Sequence, residues 1–132
     1  MVTCDASEAR QLSHETIAAA IESARDGLQR ATSLSCRIAR DSHYQMSNRF
    51  AWSWKLTELG VPVVLIYLGF LNAGEMEDRG APFSDHADWA RLVKLHSEPL
   101  FPPEMWGHQW SSNGQVFVPL IRSIELPLGQ AA

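Results

Sequence analysis

The chain is poor in cysteine, has no long apolar run and carries none of the compact catalytic signatures. It holds two cysteines, Cys4 and Cys36, and no CxxC pair. That excludes a disulfide framework and suggests two free thiols in a reducing compartment. The longest apolar run, Val61–Leu71, is well short of the ~18 residues a membrane span needs. The opening MVTCDASEAR has neither a basic n-region nor an apolar h-region, so no secretory signal is expected. These absences predict a cytoplasmic protein with no membrane partner. HExxH, GxSxG, GxGxxG and the P-loop are all missing, which argues against a zincin, a serine hydrolase and a nucleotide-cradling loop. The five histidines include no i, i+4 pair. They read as satisfied polar residues or helix-end cations, not as metal ligands.

What is present is ordinary globular material. The 132 residues are 45% hydrophobic and 20% charged, and a single domain spanning 1–132 is expected. A chain this long buries roughly two-thirds of its unfolded surface, enough for a real core. Net charge is −4, which argues against strong nucleic-acid binding. The charge is uneven, however. Arg25, Arg30, Arg37, Arg40, Arg49 and Lys55 face only Asp26, Asp41 and Glu58, a local +3 in residues 25–70. Most of these read as solvated helix-face charges.

Periodicity predicts the elements. Ser13 is a plausible N-cap, and Ile17, Ile21, Ala24 and Leu28 then recur on one face of a helix weakened near its end by Gly27. Residues 31–42 are a connector or a short helix. A second helix is expected from His43 to Leu59, with Phe50, Ala51, Trp54, Thr57 and Leu59 on its apolar side and Gly60 as the C′ residue. Val61–Phe70 reads as a strand covered on both faces, the most buried segment and the centre of the sheet. Asn72–Phe83 reads as a loop, its Glu75, Glu77 and Asp78 as solvated charge. Ser84 should cap a helix whose inner face is Trp89, Leu92, Val93 and His96. PPEMWG predicts one helical turn, Ser112-Asn113-Gly114 a turn, and Val116–Leu126 a second strand, with Pro119 marking an edge or a bulge. Residues 127–132 should fray. The five tryptophans could stack bases, but buried aromatics are the commoner fate.

One stretch does not fit a purely structural helix. In HYQMSNRFAWSW, Gln45, Asn48, Arg49 and Trp52 fall at i, i+3, i+4, i+7, a polar stripe beside the apolar one, with Tyr44 next to it. This stretch resembles the YYQYANRLAHLYFL helix of uncharacterised bacterial proteins with a restriction-endonuclease-like PD-(D/E)XK core. GVPVVLIYLGF is similar to their following strand GVPAWLVFVYF, and ADWARLV to a later helix. The resemblance spans residues 4–126. It implies an α/β fold: a layered sheet with flanking helices and few strands. It also implies phosphodiester hydrolysis by Mg²⁺ held on Asp and Glu-x-Lys strands, with DNA as partner.

The chain departs from that pattern at the metal site. No acid is followed two places later by Lys on a strand; Glu8-Ala9-Arg10 is the nearest spelling. The resemblance then implies the C-terminal part of such a domain, without cofactor and inactive as an isolated chain, Mg²⁺ belonging only to the complete domain. Tyr44, Gln45, Asn48, Arg49 and Trp52 become candidates for a site wall or phosphate contacts, an amide steadying a ligand and an Arg meeting phosphate. Alternatively, Gln45 and Arg49 pair with other helices in a polar interface. Two functions follow: a truncated or degenerate nuclease-like domain that contacts nucleic acid, or a non-catalytic interaction module forming a homodimer through its incomplete sheet.

Overall fold

The computed structural model describes residues 6–71 and 84–125. The expected loop at 72–83, the tail at 127–132 and Cys4 lie outside the described residues. The rest is an α/β arrangement of three α-helices and one three-stranded mixed sheet. In chain order these are α1 (Ala6–Thr32), α2 (Tyr44–Glu58), β1 (Val63–Leu71), α3 (His86–Ser97), a 3₁₀ turn (Pro103–Met105), β2 (Trp110–Ser112) and β3 (Gln115–Glu125). The sheet order is β1-β3-β2. β1 runs parallel to β3, with Val63 opposite Phe117 and Tyr67 opposite Ile121. β2 runs antiparallel to β3.

α1 begins seven residues before the expected Ser13 cap. Its first turns carry Ala, Glu, Arg and Gln, all strong helix formers, so nothing forces a start at Ser13. Ile21, Ala24 and Leu28 are buried as the periodicity predicts. Gly27 does not end the helix, which continues to Thr32. It admits a neighbour: a Cβ there would lie 2.5 Å from the Trp54 indole nitrogen. The missing side chain lets α2 pack close against α1. Residues 33–43 are a non-helical connector with one isolated bridge, Ala39 to Ser42. Ser47 ties it down: its hydroxyl donates to the Ser42 carbonyl (2.7 Å) and accepts from the Ala39 N–H (3.2 Å).

α2 matches its expected bounds. His43 precedes it in a left-handed conformation, and Gly60 follows at φ 94°. Phe50, Ala51, Trp54 and Thr57 are buried, but Leu59 is 68% exposed, because it sits past the last turn that faces the sheet. Phe50 is the hub of the core. Its ring lies 4.7 Å from Phe101, 5.4 Å from Trp106 and 5.6 Å from Phe117, the last two edge-to-face. That is the geometry aromatic quadrupoles prefer. Buried Ser97 accepts from the Trp106 indole N–H at 3.1 Å, so the turn after α3 is hydrogen-bonded as well as packed.

Val61–Phe70 is neither the centre of the sheet nor its most buried part. β1 is an outer strand, and its burial alternates. Val63, Leu65 and Tyr67 face the helices, whereas Val64 (57%) and Ile66 (52%), with Leu68 and Phe70, are exposed. All three helices lie on one side of this sheet, so a run apolar at every position has only every second residue covered. The most buried strand residues lie on β3: Phe117, Pro119 and Ile121. Pro119 is tolerated there because β2 pairs only as far as Phe117. Beyond it, the Pro119 carbonyl accepts from the Gly107 N–H at 2.8 Å. Its missing N–H points to that same side, away from β1, and costs no ladder bond.

β2 adds a third strand to the two expected. Asn113 (φ 51°) and Gly114 (φ 73°) form the two-residue turn between Ser112 and Gln115, the left-handed pair of a type I′ hairpin. α3 is capped by Asp85 and not Ser84: the Asp85 carboxylate accepts from the Asp88 N–H at 2.8 Å, and Ser84 donates to the Asp88 side chain. Of its expected inner face, only Val93 is fully buried. Ser97 joins it, Trp89 is half-buried, and Leu92 and His96 are exposed.

Two substitutions separate these surfaces. Trp54→Ala should lower stability by about 3–5 kcal/mol, a core truncation. Val64→Asp should cost less than about 1 kcal/mol, because Val64 already faces solvent. Urea unfolding of the dilute proteins checks both; equal losses would mean that the open face is not open.

Candidate functional site

The polar stripe of α2 is the side turned away from the core. Gln45, Arg49, Tyr44 and Trp52 are exposed, Trp52 by 64%, and Asn48 is half-buried. Among the described residues, the Gln45 and Asn48 side chains make no hydrogen bond. The structure brings two of the five candidates together. Gln45 and Arg49 line a groove of about 260 Å³, with Met46 beneath them. Tyr44, Asn48 and Trp52 do not line it.

The other walls come from elements the stripe alone does not reveal. β1 contributes Tyr67, and α3 contributes Trp89, Leu92, Val93 and His96. Both could have been suspected. Tyr67 is the one hydroxyl-bearing residue in its apolar run, and the four α3 residues are the face already grouped by periodicity. Gly69 sets the depth of the groove, since the Trp89 ring packs directly over it where a Cβ would collide. The Trp89 indole N–H donates to the Tyr67 carbonyl at 3.2 Å, which fixes that wall. At the mouth, His96 meets His43 edge-on, ring centroids 4.6 Å apart.

Two groups in the groove are short of partners. The Tyr67 hydroxyl is buried and makes no hydrogen bond among the described residues. Burial pushes its phenol pKa up from the usual tyrosine value, and the adjacent Arg49 guanidinium offsets part of that without completing hydrogen-bond geometry. Among the described residues no carboxylate forms an ion pair with Arg49, whereas Arg25, Arg40 and Arg91 each pair with an aspartate one to three residues away. Those three are surface pairs of little energetic weight. Two of them, at Arg25 and Arg40, answer part of the local positive charge at residues 25–40.

The groove does not fit the Mg²⁺ of the family it resembles. None of its described lining residues is Asp or Glu, and among the described residues no three His, Cys, Asp or Glu side chains converge. A hard divalent cation needs such oxygens. Cys36 is a buried free thiol, its pKa raised by burial, which suits a packed residue and not a reactive one. No helix among the described residues is long and apolar enough to cross a membrane. No protein-family model, curated protein or solved structure gives a significant match to the chain. The restriction-endonuclease resemblance therefore rests on the sequence motifs alone.

Two measurements test this site. Arg49→Ala should shift stability by no more than about 0.5 kcal/mol, since it removes an exposed side chain; a loss comparable to Trp54→Ala would make the stripe structural. The raised Tyr67 pKa sets a pH dependence. Folded Tyr67 keeps its proton where the unfolded phenol releases it, so stability should fall as pH rises past about 10. Tyr67→Phe should flatten that slope in urea titrations between neutral and alkaline pH.

Proposed function

We propose that this chain is a protein-interaction module that forms a homodimer by pairing its incomplete sheet with a second copy. One observation carries the reading: β1 is an outer strand that no other described strand pairs on its far side. Natural edge strands are blunted by Lys, Pro, bulges or a covering element. From Val63 to Leu71 there is no charge and no proline, and among the described residues the sheet has no further strand beyond β1. The open face beside that edge is apolar as well. Val64, Ile66 and Phe70 align with Val118, Leu120 and Ile124 across the ladder, and Leu68 with Arg122.

Magnitude sets the kind of association. Nine residues at about 3.3 Å by two strands at about 4.8 Å give a footprint on the order of 300 Å². That is the low end of the largest apolar patch on an ordinary monomer, a patch that is often functional. It is well below the ~800 Å² per partner of a standard interface. Edge hydrogen bonds between two antiparallel copies of β1 add to it, and a weak, concentration-dependent dimer is the consequence. An apolar row needs no charge complementarity, so a second copy is a chemically sufficient partner.

The nucleic-acid reading ranks second. It is favoured by the exposed Trp52 indole on the same stripe as Arg49, a possible stacking platform. The −4 charge weighs against it.

Sedimentation velocity over a concentration series decides the first reading. The expected result is a shift from monomer to dimer at high concentration. Ile66→Lys should hold the chain monomeric at every concentration with an unchanged melting midpoint. A parent that stays monomeric throughout overturns the proposal. For the second reading, Trp52→Ala should weaken binding of a short single strand by about 1–3 kcal/mol. No Mg²⁺-dependent plasmid nicking is expected from the isolated chain; nicking that EDTA abolishes and that copurifies with it would restore the nuclease reading.

A further inference from the structure

We infer that the groove between α2, β1 and α3 is a binding site for a small organic carboxylate with an apolar body about the size of one aromatic ring. The charge argument comes first. Among the described residues, Arg49 brings a guanidinium with no ion-pair partner, and the lining includes no acid to compete with a bound anion. The hydroxyl of Tyr67 is buried, lacks a hydrogen bond among the described residues and belongs to the same lining. Buried polar groups are ordinarily satisfied, and one that is not calls for an explanation. A carboxylate answers both vacancies: its oxygens accept from a guanidinium and from a phenol O–H, each a charge-assisted bond. The Gln45 amide and the His96 ring supply further polar atoms in the lining.

The walls decide against a bare inorganic anion. Met46, Trp89, Leu92 and Val93 make the remainder of the lining apolar. A small anion would leave that surface wet, whereas a ring would cover it. The volume agrees. About 260 Å³ is the space of roughly nine waters at about 30 Å³ each, enough for one ring and its carboxyl group. The Trp89 wall is held in advance by its seat over Gly69 and its hydrogen bond to the Tyr67 carbonyl, so little has to be ordered on binding. This site is separate from the open face: Tyr67 points to the helices, and its neighbours Ile66 and Leu68 point away from them.

Titration of the full chain with benzoate, followed by NMR of the Trp89 indole and Tyr67 signals, tests the assignment. Saturable shifts are expected at millimolar benzoate or below, with neutral benzamide at least about tenfold weaker because it forfeits the Arg49 charge. Tyr67→Phe keeps the ring and removes only the hydroxyl; it should weaken benzoate about fivefold or more. Arg49→Gln should weaken it about tenfold or more, to the level of benzamide. Melting midpoints establish that both variants are folded, and Tyr67→Phe decides alone if Arg49→Gln is not. The inference is overturned if no acid gives saturable shifts, if benzamide equals benzoate, or if Tyr67→Phe leaves affinity unchanged. It is also overturned if inorganic phosphate or a short oligonucleotide binds the same residues more tightly than benzoate, which would make the groove a phosphate site.

Discussion

The packing of Phe50 is the constraint from which the rest of the molecule follows. Its ring touches aromatic partners from β3, from the segment after α3 and, at 6.5 Å, Tyr67 of β1. One side chain thus fixes α2 against the parallel pair and pulls the chain after α3 onto the same face. Trp54, one turn later, meets Phe117 at 6.2 Å and α1 through Gly27. All three helices collect on the side of the sheet where these rings lie, and the other side is left with its apolar residues uncovered.

That outcome shows which parts of the fold the sequence could declare. α2 was legible to within a residue or two because its ends are local: a left-handed His43, a glycine at C′, and Phe50, Ala51, Trp54 and Thr57 on one face. The α1 core face was legible for the same reason, and so was the Asn113-Gly114 turn. β2 was not, since three residues carry no period and only the hairpin turn pointed to it. The role of Val61–Phe70 was misread for a deeper reason. An apolar run states that burial is available on both faces but not that both are used, and coverage depends on where distant helices pack. Pro119 illustrates the same limit. Its residue type pointed to an edge or a bulge, yet β3 is the central strand and its register with β1 runs unbroken through Pro119; the proline fits only because β2 stops at Phe117.

The candidate site was half legible. A guanidinium and an amide at helical spacing beside a buried stripe are visible without coordinates, and Gln45 and Arg49 do share the groove. Tyr44, Asn48 and Trp52 had equal claim by spacing but project elsewhere, because a groove selects along the helix axis as well as around it. The walls opposite come from the strand that follows α2 and from a helix that begins only at His86. Tyr67 reaches the groove only because β1 places its odd-numbered residues toward the helices, and Trp89 only because Gly69 leaves room for its ring.

β1 therefore serves two surfaces by alternation. Its odd-numbered residues build the core and, through Tyr67, the groove; its even-numbered residues form the open face. The period of two makes the surfaces chemically independent, since a change at Ile66 alters the face without touching the Tyr67 hydroxyl. It also makes them mechanically continuous, because both hang on one backbone that, among the described residues, lacks a strand partner on its outer side. Pairing that outer edge would fix the backbone carrying Tyr67, whose carbonyl already anchors the Trp89 indole. Any occupant of the open edge thus acts on the strand that positions the groove, while the substitutions that probe the two surfaces fall on residues of opposite parity and can be read separately.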